Sequence, residues 1–160
     1  GFESVEQINK VARINGVAHQ YEVRHAIVGG EHNVYGGDSD TADQVDAKDL
    51  PECDVLELDC EGSEAEILDE LNSSPRVIIA ELHPWQYPDV PRKPLQMLND
   101  LGYDIEHSFG HDGVELSERE LSTLLQRSSE RKGLDDQHNR TEEMFVSSGA
   151  RWPVVVAATK

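Results

Sequence analysis

The apolar residues of this chain fall into short blocks, and polar stretches with helix-capping residues lie between them. Four segments place apolar residues at helical spacing and end at a glycine or a proline. The pattern therefore predicts four helices, with starts at Ser4, Ser63, Arg92 and Ser117 and ends before Gly16, Pro75, Gly102 and Gly133. Capping boxes, in which a serine and a following acid bond each other's backbone, are predicted at Ser4 and Ser63.

Apolar runs with the length of strands alternate with these helices. They are Tyr21–Val28, Asp54–Asp59, Arg76–His83, Tyr103–Phe109 and Val154–Thr159. Asp54–Asp59 and Arg76–His83 are largely apolar, as strands covered on both faces by helices should be. The alternation predicts right-handed βαβ crossovers and an open parallel sheet in a single α/β domain over residues 1–160. We expect the polar stretch 133–149 to be a mobile loop.

Composition and charge restrict the partners of this domain. The chain has 160 residues with 32 acidic and 14 basic side chains, and its net charge is −18. Clustered basic residues are needed to bind nucleic acid or an anionic membrane surface, and none are present, so both are excluded as partners. The sequence contains no long apolar run, and we expect a cytoplasmic protein. Dispersed acid with little lysine is typical of proteins from halophiles; an acidic binding module is the alternative.

The two cysteines are not expected to form a disulfide. Cys53 and Cys60 flank a predicted strand, which separates them by about 20 Å, far beyond the reach of a disulfide. The absence of a structural disulfide is consistent with a reducing compartment. No four-ligand cysteine and histidine spacing for zinc exists in the sequence.

Candidate chemistry lies where two predicted strands end. The first strand ends in Asp59 and Glu61, and the next ends in Glu81 and His83. Ligands bind beyond the carboxyl ends of the strands in open α/β sheets, so we expect these side chains to converge there if the strands are neighbours. Such a set could bind a divalent metal, act as a general base or hold sugar hydroxyls. Alternatively, the acids are chance occurrences in an acidic chain and His83 is a packed histidine.

These strand ends carry a resemblance to a known family. An apolar strand is followed by Asp-Cys-Glu-Gly-Ser-Glu at 59–64, and a second apolar strand is followed by Glu-Leu-His at 81–83. The chain thereby resembles FkbM-type methyltransferases, in which Asp-x-Glu-Gly-x-Glu and Glu-x-His follow successive strands. The resemblance covers roughly residues 1–109, because Gly1-Phe2-Glu3-Ser4 is similar to the end of the family's second strand.

The resemblance implies methyl transfer from S-adenosylmethionine to an oxygen acceptor, often a sugar hydroxyl. Glu3 would bind the cofactor ribose, and Asp59 and Glu61 would line the cofactor cleft. Glu81 and His83 would lie beside the acceptor, with His83 or Asp59 as the base and with a bound metal left open. The predicted catalytic residues are therefore Asp59, Glu81 and His83, and the predicted cofactor-binding residues are Glu3, Asp59 and Glu61.

The sequence also departs from the family. The family's first strand and its glycine-rich turn are not found in it, and the pairs Gly29-Gly30 and Gly36-Gly37 do not replace that turn. The residue at Cys60 is small and apolar in the family, so this cysteine is expected to pack rather than react. We predict a Rossmann-like class I methyltransferase sheet, mostly parallel with an antiparallel edge, that lacks this first strand.

Three explanations of that departure stay open. The chain could be a piece of a longer protein whose preceding N-terminal segment completes the sheet. It could complete the sheet by forming a homodimer or by binding another chain. It could also be a catalytically silent domain that serves as a binding or interaction module. Two functions follow from the sequence: an O-methyltransferase for a carbohydrate or other small acceptor, or a silent binding module.

Overall fold

The described part of the chain is an α/β structure with two small sheets. The computed structural model describes residues 2–29, 42–60, 62–87, 89–110, 112–130 and 154–160. Its helices are α1 (Phe2–Ile14), α2 (Glu64–Glu70), α3 (Lys93–Asp100) and α4 (Glu118–Glu130). Its strands are β1 (Ala26–Val28), β2 (Asp43–Val45), β3 (Val55–Leu58), β4 (Val77–Leu82), β5 (Asp104–Phe109) and β6 (Val154–Thr159). The predicted loop 133–149 lies outside the described residues.

The larger sheet has four strands in the order β3-β4-β6-β5. Strands β3 and β4 are parallel and are joined through α2, which confirms one predicted βαβ unit. Strand β6 runs antiparallel to both β4 and β5. The predicted antiparallel edge is therefore wrong, because the reversed strand lies inside the sheet and the sheet is mixed.

Side-chain composition explains this strand order. All six residues of Val154–Thr159 are buried or half-buried, which suits a strand with neighbours on both sides. Asp104–Phe109 has exposed side chains at three of its six positions, including Glu106 and His107, and this pattern suits an edge strand. Burial of apolar surface decided which of the two strands occupies the interior.

One face of the four-stranded sheet forms the hydrophobic core. In β4 the side chains of Ile78, Ala80 and Leu82 are fully buried, whereas those of Val77, Ile79 and Glu81 are only partly buried. Helices contribute further buried residues to the same cluster, namely Ile67, Leu68, Leu95, Leu98, Leu121 and Leu125. The expectation that helices cover β4 completely on both faces is not met within the described residues.

Several helix ends follow local sequence signals. Helix α3 ends as predicted at Gly102, which adopts a φ of 85°; the Gly102 and Tyr103 amides bond the carbonyls of Asn99 and Leu98, each at 2.9 Å. This is a Schellman cap, which needs a residue that tolerates positive φ. Before α4, the Ser117 amide and hydroxyl donate to Glu120 Oε2 at 2.8 and 2.5 Å, in a reciprocal capping box.

Two predicted helix starts and one strand differ from the structure. Helix α1 begins at Phe2, so Ser4 lies inside it and does not cap it. The Ser63 side chain makes no capping hydrogen bond. The predicted strand Tyr21–Val28 is regular only at Ala26–Val28, because the polar residues before it have no partner strand among the described residues.

A second sheet consists of the short parallel pair β1 and β2. Strand β2 was not predicted, because Asp43-Gln44-Val45 contains a single apolar residue. Within the described residues this pair is separate from β3, whose only sheet partner there is β4. No helix in the described part is long and apolar enough to cross a membrane.

Candidate functional site

Three of the predicted site residues meet at the carboxyl ends of β3 and β4. The parallel register pairs Leu58 with Ala80, so Asp59 follows β3 at the level where Glu81 lies in β4. The potential ligand atoms of Asp59, Glu81 and His83 all lie within 4.8 Å of one another. Asp59 is exposed, Glu81 is half-buried and His83 is buried. The structure thus brings this set together as the strand ends predicted.

The remaining predicted site residues are not part of this described cluster. Glu61 lies outside the described residues. The backbone of Glu3 is in the first turn of α1, and not at a strand end as the resemblance implied. Phe2–Ile14 form one continuous helix because its apolar residues follow helical spacing. The Glu3 side chain is outside the description, and its role as a ribose ligand stays a prediction.

Glu64 is a buried carboxylate that was not among the predicted site residues, and it contacts His83 of the cluster. Glu64, in the first turn of α2, is 0% exposed, and His83 is 3% exposed. Glu64 Oε1 lies 3.0 Å from His83 Nδ1, and it accepts hydrogen bonds from the amides of Cys60 at 3.1 Å and Gly62 at 3.2 Å. Glu64 therefore holds the loop before α2 through two of its amides.

The turn after β4 is anchored to the same loop. Tyr87 follows the short helical turn Pro84–Gln86, and its hydroxyl donates to the Gly62 carbonyl and accepts from the Ala65 amide at 3.2 Å. Gly62 has a φ of 118°, and a Cβ there would meet Gln86 Cγ at 2.6 Å. A glycine at this position lets the two strand-end segments pack directly against each other.

Hydrogen bonding keeps Glu64 ionised in this setting. Burial raises the pKa of a carboxyl group, but the hydrogen bonds from His83 and the backbone amides outweigh it, and the pKa of Glu64 is lowered below its ordinary value of 4.5. Burial also raises the pKa of Tyr87, which keeps its hydroxyl protonated and able to donate.

The ionised carboxylate determines the protonation of the imidazole. A carboxylate can only accept hydrogen bonds, so the hydrogen-bond network assigns a proton to His83 Nδ1. In neutral His83 the Nε2 atom is then the basic nitrogen, which can accept a proton or ligate a metal. The Glu64 carboxylate also stabilises the imidazolium that would form on proton uptake.

A sequence signal could have identified Glu64. It lies three, four and seven residues before Ile67, Leu68 and Leu71, which places it on the buried apolar face of α2. An acid on such a face requires buried partners, because an unpaired buried charge is very costly. Those partners could not be identified from the sequence, since His83 and Tyr87 are distant along the chain.

The cysteines behave as the sequence suggested. Cys53 and Cys60 are both free, so the predicted absence of a disulfide between them is confirmed. Burial raises the pKa of the Cys60 thiol to about 11, with the nearby Glu64 charge adding to the effect. The thiol therefore stays protonated at neutral pH, and Cys60 packs partly against the core.

Comparison of the chain with models of protein families, with curated proteins and with solved structures gave no match.

Proposed function

We propose that this chain is an S-adenosylmethionine-dependent O-methyltransferase domain of the FkbM type. Its acceptor would be a hydroxyl group of a sugar or of another small molecule, in the cytoplasm of a halophile. The observation that carries the proposal is the cluster of Asp59, Glu81 and His83 at the carboxyl ends of two adjacent parallel strands. The carboxyl ends of such strands are where open α/β sheets bind their ligands.

The donor set of the cluster suits hydroxyl ligands. Carboxylate oxygens and an imidazole nitrogen accept hydrogen bonds from the hydroxyls of a sugar or of the cofactor ribose. Asp59 would contact the cofactor, together with Glu61 and Glu3 if their side chains reach the site. Glu81 and His83 would hold the acceptor.

Methyl transfer requires positioned reactants and removal of one proton. When bound, S-adenosylmethionine would supply an electrophilic methyl group, and its sulfur would take the electron pair of the carbon–sulfur bond as the acceptor oxygen bonds the methyl carbon. His83 Nε2 takes the acceptor proton, and Glu64, at 3.0 Å from Nδ1, stabilises the resulting imidazolium. Asp59 is the alternative base. Positioning of the acceptor by Glu81 would raise the rate further.

Calorimetric titration with S-adenosylmethionine and S-adenosylhomocysteine in molar KCl tests the proposal. We expect saturable binding of both ligands and a rise in the melting temperature. Without heat and without a thermal shift for either ligand, the enzyme proposal fails for this chain. In an active preparation, His83→Gln should lower kcat by about 100-fold or more, because general-base catalysis contributes about that factor.

A silent binding module is the second candidate. It is favoured by the separation of the β1–β2 pair from β3 within the described residues, and by the lack of a glycine-rich turn in the sequence. Such a module would bind a carbohydrate at the same strand ends without needing the cofactor. Saturable binding of a sugar together with no response to S-adenosylmethionine would support this candidate over the first.

A further inference from the structure

We propose that Asp59, Glu81 and His83 bind one divalent cation of the Mn²⁺ type. Binding of the cation goes beyond the proposed methyl transfer and does not depend on it. Its use in catalysis rests on the proposed function. There the cation would hold the acceptor hydroxyl and lower the pKa of that group, so that its proton passes to solvent, and His83 Nε2 would be a ligand instead of the base.

The geometry of the cluster is close to that of a coordination sphere. Nitrogen and oxygen ligands lie about 2.1 Å from Zn²⁺ or Mg²⁺, so two ligands of one ion are at most about 4.2 Å apart. The three candidate atoms already lie within 4.8 Å of one another. Side-chain rotations that move each atom by less than about 1 Å would close the difference.

The buried contact between His83 and Glu64 is an independent observation that points to a ligand. Metal-bound histidines almost always donate their second ring N–H to a carboxylate, which fixes the ring and its tautomer. Here the second ring atom is Nδ1, and the carboxylate is the fully buried Glu64 at 3.0 Å. This arrangement fixes the ring and makes Nε2 the nitrogen that would bind the metal.

The donor set also indicates the class of metal. Two carboxylate oxygens and one imidazole nitrogen suit a borderline cation such as Mn²⁺, and the nitrogen disfavours Ca²⁺ and Mg²⁺. Cys60 would favour a softer metal if it took part. However, Cys60 packs partly against the core, whereas the Asp59 side chain is exposed.

The alternative is that Mn²⁺ is simply attracted to an acidic surface. Glu57 provides the matched control, because it is exposed and lies on the same face of β3, two residues before Asp59. Glu57→Gln and Asp59→Asn remove the same charge from the same strand. Nonspecific attraction would weaken equally in both variants, whereas chelation would weaken only in Asp59→Asn.

Electron paramagnetic resonance of free Mn²⁺ in 1 M KCl measures the binding directly. We expect one Mn²⁺ per chain, at least tenfold weaker binding in Asp59→Asn and in Glu81→Gln, and a change of less than twofold in Glu57→Gln. Spin-echo modulation from a directly bound imidazole nitrogen should be seen in the wild type and lost in His83→Gln. Far-UV circular dichroism checks that each variant is folded.

Two outcomes would overturn the metal proposal. One is an absence of stoichiometric Mn²⁺ binding by the folded wild-type protein. The other is equal weakening in Glu57→Gln and Asp59→Asn, which would identify general counter-ion attraction. Because the titrations use Mn²⁺ alone, they remain informative if S-adenosylmethionine does not bind. Conversely, cofactor binding without Mn²⁺ binding would leave the methyltransferase proposal standing, with His83 or Asp59 as the base.

Discussion

Replacement of Glu64 by alanine should destabilise the protein by about 3–5 kcal/mol, because three hydrogen-bond donors lose their common acceptor. The carboxylate is fully buried and accepts hydrogen bonds from Cys60 N and Gly62 N, with His83 Nδ1 at 3.0 Å. Alanine would leave these three donors without their acceptor. An unpaired buried donor costs about 1–3 kcal/mol, and three of them give a total consistent with that range.

Urea unfolding followed by circular dichroism at constant KCl measures this loss. Asp69→Ala is the matched control, because Asp69 lies in the same helix with its side chain exposed and should change the free energy of unfolding by less than about 0.5 kcal/mol. Glu64→Gln keeps an acceptor oxygen but loses the charge, so it should fall between the two. Its intermediate value also keeps the test informative if Glu64→Ala does not fold.

The order of the variants decides whether the reasoning holds. A loss below about 1 kcal/mol for Glu64→Ala, or one equal to that of Asp69→Ala, would mean that Glu64 does not hold these donors in solution. In that case the assignment of the Nδ1 proton of His83 would lose its basis. A large loss in Glu64→Ala with little change in Glu64→Gln would show that the acceptor oxygen matters and the charge does not.

Three further predictions concern surface charge, thiol reactivity and a buried hydroxyl. Raising KCl from 0.1 to 1 M shortens the Debye length from about 10 to about 3 Å, which screens the repulsion within a chain of net charge −18. The melting temperature should therefore rise, and an unchanged melting temperature would contradict the hypothesis that the chain is adapted to salt. In a Cys53→Ala variant, Cys60 should react with iodoacetamide at pH 8 about 100-fold more slowly than an ordinary thiol of pKa 9.0, because its pKa of about 11 leaves less thiolate. A rate equal to that of an ordinary thiol would refute the burial of Cys60. Tyr103→Phe removes the hydroxyl that donates to the buried Pro75 carbonyl at 2.6 Å, and it should lower the free energy of unfolding in urea by about 1–2 kcal/mol. An unchanged urea midpoint would mean that this hydrogen bond does not contribute to stability.

Much of the local structure was predictable from sequence because its causes are local. The end of α3 at Gly102 follows from a glycine placed after an apolar helical pattern, and the boundaries of Val154–Thr159 follow from an apolar run. The convergence of Asp59, Glu81 and His83 could be predicted because parallel strands joined by one helix bring their carboxyl ends to the same edge.

The predictions that failed depend on contacts between distant segments. The position of β6 between β4 and β5 depends on which strand best fills the interior, and strand boundaries do not reveal this. The Ser63 capping box was wrong: the Ser63 side chain makes no capping bond, and the buried Glu64 beside it accepts from the amides of Cys60 and Gly62. The buried position of Glu64 depends on the turn after β4, whose His83 and Tyr87 lie about 20 residues further along the chain.

By itself, the sequence determined the acidic surface, the alternation of helices and strands, and the presence of acids and a histidine at two strand ends, because composition and short-range periodicity encode these features. Only the tertiary structure decided the strand order and the buried contact of Glu64 with His83. Both depend on which distant segments exclude water together, and a buried charge is tolerated only where such packing supplies its hydrogen-bond donors.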